Sequence, residues 1–235
     1  MAEKQGAIGR ALRVALRSDL QLPRVEPRES GISQLMNPRR QKVYELVARE
    51  PGVHLRSAGR HLAIPTQSLR WHLRVMVRAG LLREVRLRGR AAYFCEGLTE
   101  AEDDPVFVCL QDGMNRRILE NLLLDKALIQ AVLIRRLGSY EQRVTPHLRW
   151  MEEVGLLAGG WERGRRVFRI TPAVDRLRHR YAESAEPRVT RLLQTLQRQG
   201  LAPKVAGRGA TSLSVAVSSG RESATLRFEL VPLKA

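Results

Sequence analysis

The chain carries few of the groups that chemistry on a substrate needs. Its two cysteines, Cys95 and Cys109, stand apart with no Cys-x-x-Cys spacing and no neighbouring histidine. That excludes a conventional zinc finger and a disulfide framework, and it suits a reducing compartment with the thiols buried as packing groups. No apolar run approaches the roughly 18 residues of a membrane helix. The N-terminus alternates charge with small residues and lacks an apolar signal core. No membrane partner is expected, and the location expected is cytoplasmic. A glycine-rich phosphate loop and a Ser/His/Asp arrangement are missing as well, so no enzyme, no cofactor and no small-molecule effector is expected.

Acidic residues are scarce: 24 Asp+Glu face 41 Lys+Arg, a formal charge of +17, and the excess is almost all arginine. A polyanion is the implied partner. Nucleic acid fits best, because guanidinium pairs bidentately with phosphates and guanine edges. A membrane surface fits less well, since no long basic face lies opposite a Trp/Phe face. A codon bias toward arginine, with the charge serving solubility, is the competing account.

What is present is a repeat. A shift of 75 positions puts His72-Leu73-Arg74 on His147-Leu148-Arg149, Gly80-Leu81-Leu82 on Gly155-Leu156-Leu157, and Arg88-Gly89-Arg90 on Arg163-Gly164-Arg165. The same register pairs Gln67 with Gln142, Met76 with Met151 and Tyr93 with Phe168, with no gap. A period that long is one structural unit used twice.

Within the first copy, Val43, Leu46 and Val47 recur at helical spacing, which predicts a helix over 38–49 ended by Pro51-Gly52. A second helix is predicted over 55–63. Ile64-Pro65-Thr66 turns into a third over 66–79, stopped at Gly80. Strand-like 81–87 and 91–96 flank Arg88-Gly89-Arg90 as a hairpin. The second copy predicts helices over 114–125, 128–137 and 140–154, then strands 156–161 and 166–171.

The stretch Ala63-Ile-Pro-Thr-Gln-Ser-Leu-Arg-Trp-His-Leu-Arg-Val-Met-Val-Arg-Ala-Gly-Leu-Leu resembles the recognition-helix signature of ArsR- and MarR-type regulators. The proline before the third helix, the aromatic before the histidine and the tandem arrangement are more similar to archaeal winged-helix transcriptional regulators. The resemblance covers about residues 38–172. It implies a mainly α fold with small β-hairpins (α+β): two tandem winged helix-turn-helix domains plus a C-terminal helix and β-hairpin. It also implies double-stranded DNA as the partner, nucleoid association and a role in transcription. The second copy departs from the pattern, with Pro146 before its histidine and no clear turn proline. A chromatin architectural protein of low specificity and a protein-interaction scaffold are the rival functions.

The expected domains are a basic, partly disordered arm at 1–30, a first unit at 31–96, an acidic connector at 97–113, a second unit at 114–172 and a C-terminal segment at 173–235. The connector, with a short helix from Pro105, is expected to face away from DNA. In the last segment a helix over 173–184, a helix over 189–199 and a terminal hairpin are too small to stand alone. They are expected to pack on the second unit or on another subunit, homodimerisation being the preferred use.

A recognition helix buries one face and turns the other to base edges. With Leu69, Leu73 and Met76 inward, Gln67, Ser68, Arg70, Trp71 and Arg74 point outward. Arg70 and Arg74 suit guanine or phosphate, Gln67 adenine, and Trp71 a sugar or thymine methyl; the alternative for Trp71 is packing against the hairpin. The second helix offers Gln142, Arg143, Thr145 and Arg149. The hairpin tips add Arg88, Arg90, Arg163, Arg165 and Arg166 for phosphates. His72 and His147 each lack a ligand partner at useful spacing, so a structural histidine hydrogen-bonded within the bundle is expected and no metal. ArsR-type metal sensing needs clustered cysteines, which are missing.

Overall fold

Asn37 and Pro38 start the first helix. The Asn37 side chain accepts from the amides of Arg39 at 3.0 Å and Arg40 at 3.3 Å, and proline at the first helical position loses only an amide that would have no partner there. In the computed structural model, which describes residues 33–231, helix α1 therefore spans Pro38–Arg49. Strand β1 (Val53–His54), α2 (Leu55–Leu62), α3 (Thr66–Arg78), β2 (Leu82–Leu87) and β3 (Arg90–Cys95) follow. The strands form an antiparallel sheet in the order β1-β3-β2, with Val53 opposite Tyr93 and Leu87 opposite Arg90.

After a helix α4 (Asp104–Gln111), the same order of elements recurs: α5 (Gly113–Asp125), β4 (Ala127–Ile129), α6 (Gln130–Arg136), α7 (Glu141–Glu153), β5 (Leu157–Glu162) and β6 (Arg165–Ile170). Their sheet runs β4-β6-β5. Asp112, one repeat on from Asn37, caps α5 by accepting from Met114 at 2.9 Å and Asn115 at 3.4 Å. The chain continues as α8 (Ala173–Glu183), α9 (Ala185–Arg198) and a three-stranded meander of β7 (Lys204–Arg208), β8 (Ser212–Ser219) and β9 (Glu222–Glu229). The described residues thus make a mixed α+β fold of nine α-helices and three small antiparallel sheets. The basic arm expected at 1–30 lies outside them.

The C-terminal segment differs from expectation. Leu213, Val215, Val217, Leu226, Phe228 and Leu230 share one core with Leu35, Val43, Tyr44 and Leu73, so the terminal sheet closes over the first unit rather than the second. Tyr44 of α1 meets Phe228 edge-on at 5.8 Å between centroids, and Glu45 accepts from the Arg227 amide at 2.9 Å. The reason is local: α1 has buried residues on more than one face, and the sheet of its own unit covers only part of them. Helix α9 also begins earlier than expected, because Pro187 sits in its first turn, where a missing amide costs no hydrogen bond.

The connector is not a bare acidic strap. Phe107 and Val108 join Ala92, Phe94, Leu177 and Tyr181 in a small core bridging β3, α4 and α8. Its two buried carboxylates each face a guanidinium: Asp104 accepts from Arg83, at 3.0 Å through one oxygen, and Asp103 from Arg180. The second unit has its own core around Ile118, Leu122, Val144, Leu148, Met151 and Phe168. No helix among the described residues is long and apolar enough to cross a membrane.

Candidate nucleic-acid interface

The turn between α2 and α3 is tight because Gly59 lets the chain double back: a Cβ there would lie 3.3 Å from the Ile64 carbonyl. Ala63 adopts a left-handed φ of 51°, and the Ile64 amide returns to the Gly59 carbonyl at 3.2 Å. Helix α3 then buries Leu69, His72, Leu73 and Met76. Gln67, Arg70, Trp71 and Arg74 are exposed and Ser68 is half-buried, the face that the helical spacing predicts.

Strand β2 brings the hairpin to this face. Burial, with help from Glu84, pushes the Tyr93 phenol above its ordinary value, while Arg70, Arg86 and Arg74 pull it back. Those three guanidiniums therefore lie within electrostatic reach of one phenol near the junction of α3 and the hairpin. Arg70 and Arg74 have no ion pair among the described residues, whereas Arg86 has only a loose one, 3.8 Å from Glu84. Arg86 was not singled out by the sequence; the signal was its alternation with Glu84 on the hairpin.

Trp71 is 55% exposed. Its ring partners are Arg40, whose guanidinium lies 5.3 Å from its centroid, and the neighbouring His72. Neither belongs to the hairpin. His72 is buried, yet its Nδ1 has no hydrogen-bond partner, which corrects the expectation of a bonded histidine. The repeat explains why. His147 pairs its Nδ1 with Asn115 Oδ1 at 2.8 Å and lies 3.5 Å from Asp112. One repeat back, Asn115 becomes Arg40, which holds the Gln34 carbonyl at 2.6 Å instead. Burial, then Arg40 and Arg39, lowers the His72 pKa from its ordinary value.

In the second unit α7 buries Val144, Leu148 and Met151 and exposes Gln142, Arg143 and Arg149. Thr145 is half-buried and accepts from Gln130 at 3.1 Å. Of the hairpin arginines, Arg163 and Arg165 are exposed with no ion pair among the described residues. Arg166 is held by Glu152 at 2.9 and 3.1 Å and lies over Phe168. The first tip is engaged as well: Arg88 reaches Glu153 at 3.1 Å and lies 4.8 Å from the Trp150 ring centroid, both on α7. Arg90 stays exposed beside it.

Both thiols are buried; desolvation pushes Cys109 up to about 12 and Cys95 well above its ordinary value, so neither is a nucleophile near neutral pH. No group of three metal-ligating side chains occurs among the described residues.

Residues 37–105 match a family model described as an N-terminal HTH domain. This range holds α1, the α2–α3 turn and the first hairpin. A protein of Methanocaldococcus jannaschii, described as an uncharacterized HTH-type transcriptional regulator, is 26% identical over 140 residues. That alignment takes in 60% of this chain and 35% of the relative, so the chain spans about a third of the protein it matches. The resemblance to archaeal helix-turn-helix regulators is shown by these two matches.

Proposed function

We propose that this chain is a sequence-preferring, double-stranded DNA-binding regulator of transcription that uses two tandem winged-helix units. The observation that carries it is the junction of α3 and the first hairpin. There Arg70 and Arg74 are exposed on α3 and unpaired with any described carboxylate, and Arg86 is exposed on the neighbouring strand β2, all inside the segment that matches a helix-turn-helix family. Exposed cations left without carboxylates, on a chain of net charge +17, suit a polyanion. The second helix, with Gln142, Arg143 and Arg149, and the second tip, with Arg163 and Arg165, extend the charge. The location that follows is the nucleoid. The apolar face of the C-terminal segment is spent on the first unit, so a homodimer has the exposed β7 edge rather than that face to use.

Fluorescence anisotropy with duplex DNA over a salt series tests the reading. Expected is binding at micromolar concentration or tighter in low salt, a steep fall with salt, and weakening in Arg70→Ala/Arg74→Ala. A footprint with a large ratio of specific to non-specific affinity marks a regulator; a steep salt slope without one marks an architectural protein. Weak binding at every salt concentration, unchanged in the variant, sinks the DNA reading in favour of a protein scaffold.

A further inference from the structure

The two hairpin tips are built alike and employed differently. Each turns through an arginine and a glycine at positive φ, 49° and 74° at Arg88 and Gly89, 48° and 72° at Arg163 and Gly164. That is the backbone a two-residue hairpin requires. The first tip leans on the second unit through Arg88, Glu153 and Trp150. The second tip has no such partner among the described residues. Arg163 and Arg165 are exposed without ion pairs there, and Trp161 beside them is 72% exposed.

Trp161 stands where the first hairpin has Arg86, one repeat earlier, and is paired across the strands with Arg166. Alternation puts Leu157, Gly159 and Trp161 on one face of β5. That face is turned toward α7, since a Cβ at Gly159 would collide with the Glu152 carboxylate. Past the Glu152–Arg166 pair, this face ends in the bare indole. A large aromatic left in water forfeits the burial that normally repays it. Here it lies two residues from the exposed Arg163 of the tip, with Arg165 on the other face of the hairpin, on a chain of net charge +17. An exposed aromatic ring just behind a cationic tip suits the minor groove, whose walls are sugar edges and whose rims are phosphates.

We infer that the second hairpin is the one that enters DNA, with Trp161 laid against the sugar edges of the minor groove and Arg163 and Arg165 on the flanking phosphates. The tip of the first hairpin, through Arg88, is an internal strut between the two units. The inference rests on the duplex binding proposed above.

The full chain labelled with 5-fluorotryptophan gives a fluorine resonance for each of its three tryptophans, and the one lost in Trp161→Phe is assigned to Trp161. In the duplex complex that resonance is expected to shift and to lose its solvent-isotope effect. Trp161→Ala is expected to weaken duplex binding about tenfold, as loss of an aromatic contact does, with the salt slope kept. Arg163→Ala/Arg165→Ala is expected to lower the slope by about two and Arg88→Ala to leave it alone. A complex that forms, by anisotropy, while Trp161 keeps its full solvent-isotope effect overturns the inference but not DNA binding. So does a Trp161 response to single strands alone, or a slope lost in Arg88→Ala. Absence of any complex overturns both readings.

Discussion

The guanidinium of Arg188 lies 4.4 Å from the centroid of the Tyr181 ring, and the residue is 1% exposed. Its hydrogen bonds go to the carbonyls of Leu98 at 3.1 Å, Leu230 at 2.7 Å and Tyr181, and to the Ser184 hydroxyl, rather than to a carboxylate. The connector, α8 and the end of the terminal sheet meet on this one side chain. Burial pulls its pKa below the ordinary value, yet the cation persists because three carbonyl dipoles face it.

Arg188→Met is expected to destabilise the chain by about 3 kcal/mol, since three buried carbonyls lose their donor. Urea unfolding measures it. A loss near zero would mean that water or a shifted side chain replaces the guanidinium.

His72 makes stability depend on pH. Its folded pKa is lowered from the ordinary value, which is about 6.5 in the unfolded chain. Between the two values the unfolded state binds more protons, so stability rises with pH through that window and falls as pH drops below about 6.5. In His72→Gln the urea midpoint is expected to vary less between about pH 5 and 7 than in the parent. Equal slopes would assign the effect to another group.

Two glycines with left-handed backbones should respond differently to alanine. At Gly80, φ 71°, a Cβ meets nothing within 4 Å, so Gly80→Ala carries only the backbone strain of about 1 kcal/mol. At Gly52, φ 81°, it would sit 3.1 Å from the Val108 amide nitrogen of α4. Gly52→Ala is expected to cost about 3 kcal/mol, strain plus a displaced helix. Thermal unfolding of the two variants, side by side, checks the order.

The range matching the helix-turn-helix family, 37–105, is expected not to fold as a separate piece. Tyr44, buried under Phe228, would face water along with the rest of the α1 surface that the terminal sheet covers. Proton NMR of residues 33–105 should show poor amide dispersion, whereas the full chain shows native dispersion. A well-dispersed spectrum from the fragment would remove the terminal sheet from the account of this core.

Much of this was legible in the sequence because it is local. Asn37-Pro38 and Pro51 delimit α1, glycine marks both hairpin tips, and the apolar spacing of Leu69, Leu73 and Met76 orients α3. Strands β1 and β4 escaped, being two and three residues long, too short for a period of two to register. So did β7, whose residues are all exposed and carry no alternation. The outward face of α3 could be read from spacing alone. That Arg88 is taken up by Trp150 and Glu153, while Trp161 is left bare, depends on how the two units pack, and no local pattern encodes it.

The sheet that seals the first unit is also the last of the described elements to be synthesised. Helix α1 leaves the ribosome early and must wait, one face uncovered, until β8 and β9 arrive. A nascent chain that stops short of β8 and β9 therefore has an unfinished first unit, with Tyr44 open to water.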